Sequence, residues 1–119
     1  MGGFVTSAAA FPTLRDEYEA AVRALAAHVD MMRVNGVESE QIARAAHAER
    51  RKLTASFKER TPEPARSAIY QRTMAVYGDP LGPSIEILRA WGRSWEEIAE
   101  SATRPGRVAY QGDQLEFSR

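Results

Sequence analysis

Glycine and proline divide this chain into short segments, and that division limits the fold more than any other feature of the sequence. The turn signals stand at Asn35-Gly36, Thr61-Pro62, the run 78–83, Gly92 and Arg104-Pro105-Gly106. Neither residue type continues a regular helix well, so each signal ends an element. Between the signals, apolar residues recur at the three- and four-residue spacing of an amphipathic helix. The pattern predicts a mostly α fold, a compact bundle of about five helices with a short C-terminal tail or hairpin.

Side chains that can cap a helix stand at the start of each predicted segment. The predicted N-caps are Thr13, Ser39, Thr61, Ser84 and Ser94. Asp16 and Glu97, each three residues after a cap, complete two capping boxes, in which side chains and backbone bond one another reciprocally. Pro62 follows Thr61 and suits the first position of a helix, where no backbone N–H is needed.

Length and composition set the size of the domain and exclude several classes of site. The 119 residues fit one domain. We predict a flexible lead-in over residues 1–12, a single helical domain over 13–106 and a tail over 107–119. The chain has no cysteine, which excludes thiolate metal centres, disulfides and thiol nucleophiles, and it has only two histidines. No metal or other cofactor is expected, and no apolar run approaches the roughly 20 residues of a membrane span.

The charges are unevenly placed along the chain, although their sum is zero. Residues 43–73 carry eight basic and three acidic side chains, whereas 1–42 and 74–119 each carry more acidic than basic ones. A protein that coats nucleic acid usually has a basic excess throughout. Only the middle third is therefore expected to attract phosphate or another polyanion.

His47 is the first candidate for chemistry because it lies in this basic segment. Arg44, Arg51 and Lys58 follow one another at spacings of seven and share a helix face with it. A histidine among cations suits a general base near neutral pH, and the row of cations suits phosphate binding. Metal-independent RNA cleavage needs a base and cations. The base takes the 2′-hydroxyl proton, and the cations stabilise the negative charge that develops on the phosphate. The alternative is a solvated basic helix face with an ordinary histidine.

The rigid turn over 78–83 is the second candidate site, with two prolines and two glycines in six residues. Tyr77 is placed to donate a hydrogen bond to a phosphate, and Asp79 to orient a base or an arginine. Arg72 and Arg104 complete the predicted substrate-binding set. An Asp-Pro turn also forms for local reasons alone, since Asp bonds its own backbone and Pro fixes the bend.

One stretch of the chain is echoed 56 residues later. Met32-Arg33, Gly36 and Ile42-Ala43 align with Leu88-Arg89, Gly92 and Ile98-Ala99. The favoured interpretation is a common way of joining two helices. The other is a helix-turn-helix over 84–103 of the kind that reads DNA.

Trp91 and Trp95 flank the second of these glycines. They are either a platform on which nucleobases stack or anchors of the hydrophobic core. Because the chain has few other aromatic residues, we expect both to anchor the core.

A longer run resembles a known family. It consists of Arg72-Thr-Met-Ala-Val-Tyr77-Gly-Asp-Pro-Leu-Gly-Pro83, Leu88-Arg89, Gly92-Arg-Ser-Trp-Glu-Glu-Ile98 and Ser101-Ala-Thr-Arg-Pro-Gly106. This run resembles the C-terminal toxin modules of bacterial polymorphic toxins, of the Rhs-repeat and contact-dependent-inhibition type. The resemblance implies export as part of a larger carrier, action in the cytoplasm of a target cell and neutralisation by a cognate immunity protein. A cytoplasmic protein is the alternative localisation.

Two hypotheses of function follow. The first is an interbacterial toxin domain that cleaves RNA without a metal, with His47, Tyr77 and Asp79 as catalytic residues. Its substrate-binding residues are Arg44, Arg51, Lys58, Arg72 and Arg104. The second is a non-enzymatic helical module that binds DNA or a protein partner through the helix-turn-helix at 84–103.

Overall fold

Five helices make up the part of the chain that the computed structural model describes, residues 13–105. They are α1 (Leu14–Val34), α2 (Ser39–Arg60), α3 (Ala65–Tyr77), α4 (Ile85–Ala90) and α5 (Trp95–Ala102). The predicted mostly α bundle of about five helices is confirmed. The predicted lead-in over 1–12 and the predicted tail or hairpin over 107–119 lie outside the described residues.

Helix α2 is the centre of the fold, because α1 packs along it on one side and α5 on another. A first core cluster joins α1, α2, α4 and α5, and a second joins the start of α1 to the end of α2. The first consists of Val29, Ile42, Ala43, Ala46, Leu88, Ile98, Ala99 and Ala102, and the second of Tyr18, Val22 and Phe57. The alanines let α5 approach α2 closely, which places the segment between α3 and α5 over the basic face of α2.

Three of the five predicted caps are confirmed. The side chains of Thr13 and Ser94 accept bonds from Asp16 N and Glu97 N in complete capping boxes. Ser84 accepts from the backbone N–H of Ile87 at the start of α4.

The prediction was wrong for the other two caps. Ser39 is the first helical residue of α2, one position after the N-cap, Glu38. Helix α3 begins at Ala65 instead of directly after Thr61, since the residue before a proline disfavours the helical conformation and Pro64 follows Glu63. Thr61 instead ends α2, where its buried hydroxyl donates to the Phe57 carbonyl oxygen at 2.8 Å.

The repeated sequence forms the same turn twice. After α1, the N–H groups of Gly36 and Val37 donate to the carbonyls of Arg33 and Met32. After α4, Gly92 and Arg93 donate to Arg89 and Leu88 in the same pattern. Both are Schellman endings, and the glycines have φ of 79° and 87°, where a side chain would be strained. Ile42 and Ile98, which follow the two turns at the same distance, meet in the first core cluster.

Helix α3 lies at the edge of this arrangement, and none of its residues is buried. Tyr70, Met74 and Val76 expose between 36% and 63% of their surface. Its contacts with α2 include the Lys58 ammonium 5.1 Å from the centre of the Tyr70 ring and Arg66 Nη1 3.5 Å from the Glu59 carbonyl oxygen. No helix within residues 13–105 combines the length and apolarity needed to cross a membrane.

Candidate active-site cleft

The basic face of α2 holds the turn over 78–83 by its backbone carbonyls. His47 Nε2 lies 3.0 Å from the Pro83 carbonyl oxygen, and Lys58 Nζ donates to the Pro80 oxygen at 2.7 Å. Arg51 Nη1 lies 3.5 Å from the Gly82 oxygen. A turn with two prolines has few N–H groups of its own, so its carbonyls need outside donors. The predicted row of α2 and the predicted turn therefore form one unit.

Asp79 joins the two parts of this unit by charge. Both of its oxygens accept from Arg51 Nη2, at 3.2 and 3.1 Å, and Oδ1 also accepts from the Leu81 backbone N–H at 2.8 Å. The bond from Leu81 and then the guanidinium of Arg51 lower the pKa of Asp79 below its ordinary value, against partial burial that raises it. Asp79 thus orients an arginine, one of the two roles that the sequence suggested for it.

Removing the Asp79 carboxylate is expected to loosen the turn in a pH-dependent way. The pKa of Asp79 is lower in the folded protein than its ordinary value near 3.8. The carboxylate therefore stabilises the fold fully at pH values above 3.8, and this stabilisation is lost as the pH falls through the pKa of the folded protein. Asp79→Ala should lower the free energy of unfolding by about 1–2 kcal/mol near neutral pH. Urea denaturation at several pH values measures this difference, which should shrink in acid.

Asp79→Asn is the matched control for this prediction. It keeps an acceptor for the Leu81 N–H but has no charge for Arg51, so it should lose less stability than Asp79→Ala. A difference between wild type and Asp79→Ala that stays constant as the pH falls below about 4 would contradict the assignment.

Lys58 supports the turn without lining the cleft described below. Its ammonium lies 5.1 Å from the centre of the Tyr70 ring in addition to its bond to Pro80. Burial lowers the pKa of Lys58, and the charge of Asp79 partly offsets this effect. Its contacts anchor the turn to α2.

An open cleft of about 400 Å³ lies between α2, the turn and the α4–α5 segment. Its volume is within the range of about 300–1,000 Å³ that is usual for small-ligand sites. The polar and aromatic side chains that line it are His47, Arg50, Arg51, Thr54, Tyr77, Trp91, Arg93 and Ser101. No carboxylate is among the described residues of its lining. Three arginines and a histidine therefore face a space that suits a phosphate or another anion.

Arg50 is positively charged, and neutral groups hold its guanidinium in place: backbone carbonyls and a tyrosine hydroxyl. Its Nη1 donates to the carbonyl oxygens of Ala102 and Arg104 at 2.8 and 2.7 Å, and its Nε to the Tyr18 hydroxyl at 2.8 Å. It thereby caps the C-terminal end of α5, where carbonyls lack helical partners. Within residues 13–105 no carboxylate forms an ion pair with it, so its charge adds to the potential of the cleft.

The bond between His47 and Pro83 determines which ring nitrogen of His47 is left to accept a proton. A carbonyl oxygen only accepts, so Nε2 must carry the proton in this contact. In the neutral imidazole the lone pair is then on Nδ1. His47 is half-buried and lines the cleft. The turn thus holds the imidazole in one tautomer and one orientation, as a proton acceptor requires.

Three of the eight predicted site residues, His47, Arg51 and Tyr77, line the cleft, and Asp79 joins it through Arg51. The other predicted residues lie elsewhere. Arg44 pairs with Glu40 at 2.9 Å and lies over Trp95, and Arg72 is half-buried on α3 outside the cleft lining. Arg104 takes part through its carbonyl, which accepts from Arg50, while the residue itself is exposed.

Sequence reasoning missed Trp91 and Arg93. Trp91 was expected in the core, but it is 56% exposed and its ring lies 6.3 Å from that of Tyr77. Trp95 is the one that packs against the first core cluster. Only the folding of the α4–α5 turn onto α2 places Arg93 in the lining of the cleft that contains His47, and no local pattern encodes that placement.

Helix α5 is buried on the side that faces α2, through Ile98, Ala99 and Ala102. Its exposed side carries Glu96, Glu97 and Glu100. Within residues 13–105, no group of three or more histidine, aspartate or glutamate side chains is placed to hold a metal ion. No protein-family model matches this chain, and neither a curated protein nor a solved structure matches it.

Proposed function

We propose that this chain is an interbacterial toxin domain that cleaves RNA in the cleft between α2 and the turn over 78–83. The observation that carries the proposal is the placement of His47. The Pro83 carbonyl orients its ring with Nδ1 as the proton acceptor, and the surrounding cleft has three arginines and no carboxylate in its described lining. This combination suits a reaction in which a proton is removed beside a phosphate.

The proposed reaction is transfer of the RNA phosphate to the neighbouring 2′-oxygen. Nδ1 of His47 takes the 2′-hydroxyl proton as the new bond to phosphorus forms. The bond from phosphorus to the 5′-oxygen of the next nucleotide breaks, and that oxygen takes a proton from the Tyr77 hydroxyl. The proton on His47 returns to Tyr77 through solvent. The products are a 2′,3′-cyclic phosphate and a 5′-hydroxyl end.

The arginines of the cleft would stabilise the charge that develops on the phosphate. Arg51 is held by Asp79 through one nitrogen, which fixes its plane and leaves other N–H groups for a ligand. Such donors are effective because they need no reorganisation during the reaction. The proposal assigns the phosphate contacts to Arg51 and Arg93, with Arg50 contributing charge and Lys58 supporting the turn.

The toxin class rests on the resemblance of the run over 72–106 to polymorphic toxin modules. On that basis we propose delivery as part of a larger carrier, action in the target-cell cytoplasm and inhibition by a cognate immunity protein. The DNA-binding alternative loses support from α5. Its three exposed glutamates would repel the phosphates that a recognition helix has to approach.

The test is induced expression in a bacterium with growth and total RNA followed together. His47→Gln keeps an amide donor for the Pro83 carbonyl but takes up no proton. It should abolish growth arrest and reduce cleavage by the purified protein by about 10²–10⁴-fold. His28→Gln, at an exposed histidine of α1, is the matched control and should remain toxic.

Two results would overturn the proposal. Toxicity and RNA cleavage that persist in His47→Gln would remove the proposed base. Growth arrest with intact RNA would retain a toxin but exclude this reaction.

A further inference from the structure

The two Schellman turns have the same backbone conformation but carry different side chains, and the difference points to a ligand. In the first turn the C-cap residue is Asn35, and Val37 two positions later is half-buried against the first core cluster. An apolar contact of this kind normally accompanies the motif. The corresponding residues of the second turn are Trp91 and Arg93, and both are exposed.

Folding does not explain these two side chains. The second turn forms the same backbone bonds as the first without an apolar residue at the position of Arg93. A tryptophan that is 56% exposed gains only part of the stabilisation that burial would give it. Both Trp91 and Arg93 line the cleft that contains His47.

Trp91 is placed as a stacking surface. Its ring is tilted by 43° against that of Tyr77, with centroids 6.3 Å apart, so Tyr77 supports it on one side. Trp95 does not serve this purpose, because Arg44 and Arg89 lie over its ring at 5.0 and 4.1 Å and it packs on the core.

Arg93 adds a cation beside this surface. No carboxylate within residues 13–105 forms an ion pair with it, and none lines the cleft. An exposed aromatic ring next to an arginine that has no carboxylate partner is a combination by which proteins bind single-stranded nucleic acid. The base stacks on the ring while the arginines contact the phosphates.

We propose that Trp91 and Arg93 form a subsite that selects single-stranded RNA, with a nucleobase stacked on Trp91 and a flanking phosphate at Arg93. This inference rests on the proposed function in taking RNA as the substrate. Paired bases of an RNA duplex are stacked on their neighbours and do not reach such a ring, whereas those of a single strand can turn outward. The subsite would place the phosphate beside His47.

The experiment titrates the full chain, in its His47→Gln form, with a single-stranded oligoribonucleotide while tryptophan fluorescence is recorded. Stacking should quench the fluorescence, and the matching duplex should bind more weakly. Trp91→Ala should weaken binding by about 5- to 100-fold and remove the quenching, with Trp91→Phe intermediate. Arg93→Gln should reduce the dependence of binding on salt. Met31→Ala, at an exposed apolar residue of α1 outside the cleft lining, is the matched control and should bind as the parent does.

The first two outcomes separate the subsite from the reaction. Binding and quenching that depend on Trp91, in a protein that cleaves no RNA, would support the subsite and overturn the proposed function. Cleavage that depends on His47 but has an unchanged KM in Trp91→Ala, without quenching, would overturn the subsite alone. Equal binding of duplex and single strand, or no RNA binding at all, would also overturn it, and the second result would direct attention to a protein partner. Circular dichroism of each variant confirms that it is folded.

Discussion

Replacing Ile98 by Ala should lower the free energy of unfolding by about 3–4 kcal/mol. Ile98 is 1% exposed and belongs to the cluster that joins α5 to α1, α2 and α4. The change removes three buried carbon atoms and leaves a cavity that the surrounding alanines of α2 and α5 cannot fill. Because domains of this size are stable by only about 5–15 kcal/mol, the loss is a large fraction of the total. Urea denaturation followed by circular dichroism measures it.

Two variants test whether this effect comes from the core contact. Ile98→Val removes one methyl group and should lose about 1 kcal/mol. Val34→Ala, at a residue that is 80% exposed, should change stability by less than about 0.5 kcal/mol. Ile42→Ala should resemble Ile98→Ala, because Ile42 occupies the equivalent place in the same cluster. An Ile98→Ala protein as stable as the Val variant would contradict the packing.

Arg50→Ala should cost about 2–3 kcal/mol of stability. The change removes the donor that the carbonyls of Ala102 and Arg104 and the hydroxyl of Tyr18 share. These acceptors lie at the start of α1 and at the end of α5, so Arg50 ties both of these segments to α2. Thermal and urea denaturation measure the loss.

Arg50→Lys separates geometry from charge. One ammonium group cannot reach all three acceptors from the position of a guanidinium, so this variant should lose at least half as much stability as Arg50→Ala. Lys52→Ala removes an exposed cation from the same helix and should have little effect. If Arg50→Lys were as stable as wild type, the fork geometry of Arg50 would be irrelevant.

Local signals predicted most of the fold. Apolar residues recur at helical spacing along α1, and four of them, Tyr18, Val22, Leu25 and Val29, are buried. Both capping boxes formed because their bonds lie within four residues and need no tertiary support. The error at Thr61 came from reading Pro62 as a helix start without the effect of Pro64 on the residue before it.

The candidate site was predicted only in part. Helix spacing shows which residues share a face of a helix, but it does not show which segment of the chain packs over that face. His47, Arg51 and Lys58 do share a face of α2, as predicted. The turn over 78–83 covers that face, so Lys58 bonds to its backbone and not to a ligand in the cleft. Arg44, two turns before Arg51 in the same row, pairs with Glu40 and lies over Trp95.

The sequence by itself determined the number of helices, most of their ends and the basic face of α2, because these depend on contacts between residues a few positions apart. Only the tertiary structure decided which side of that face the turn covers, that Trp91 stays exposed and that Arg93 lines the same cleft as His47. Those features depend on how α5 packs against α2 through Ile98 and its neighbouring alanines, which sets the distance between segments more than forty residues apart. Burial of apolar surface drives that packing. Which helices pack together cannot be predicted from residues that are close in the sequence.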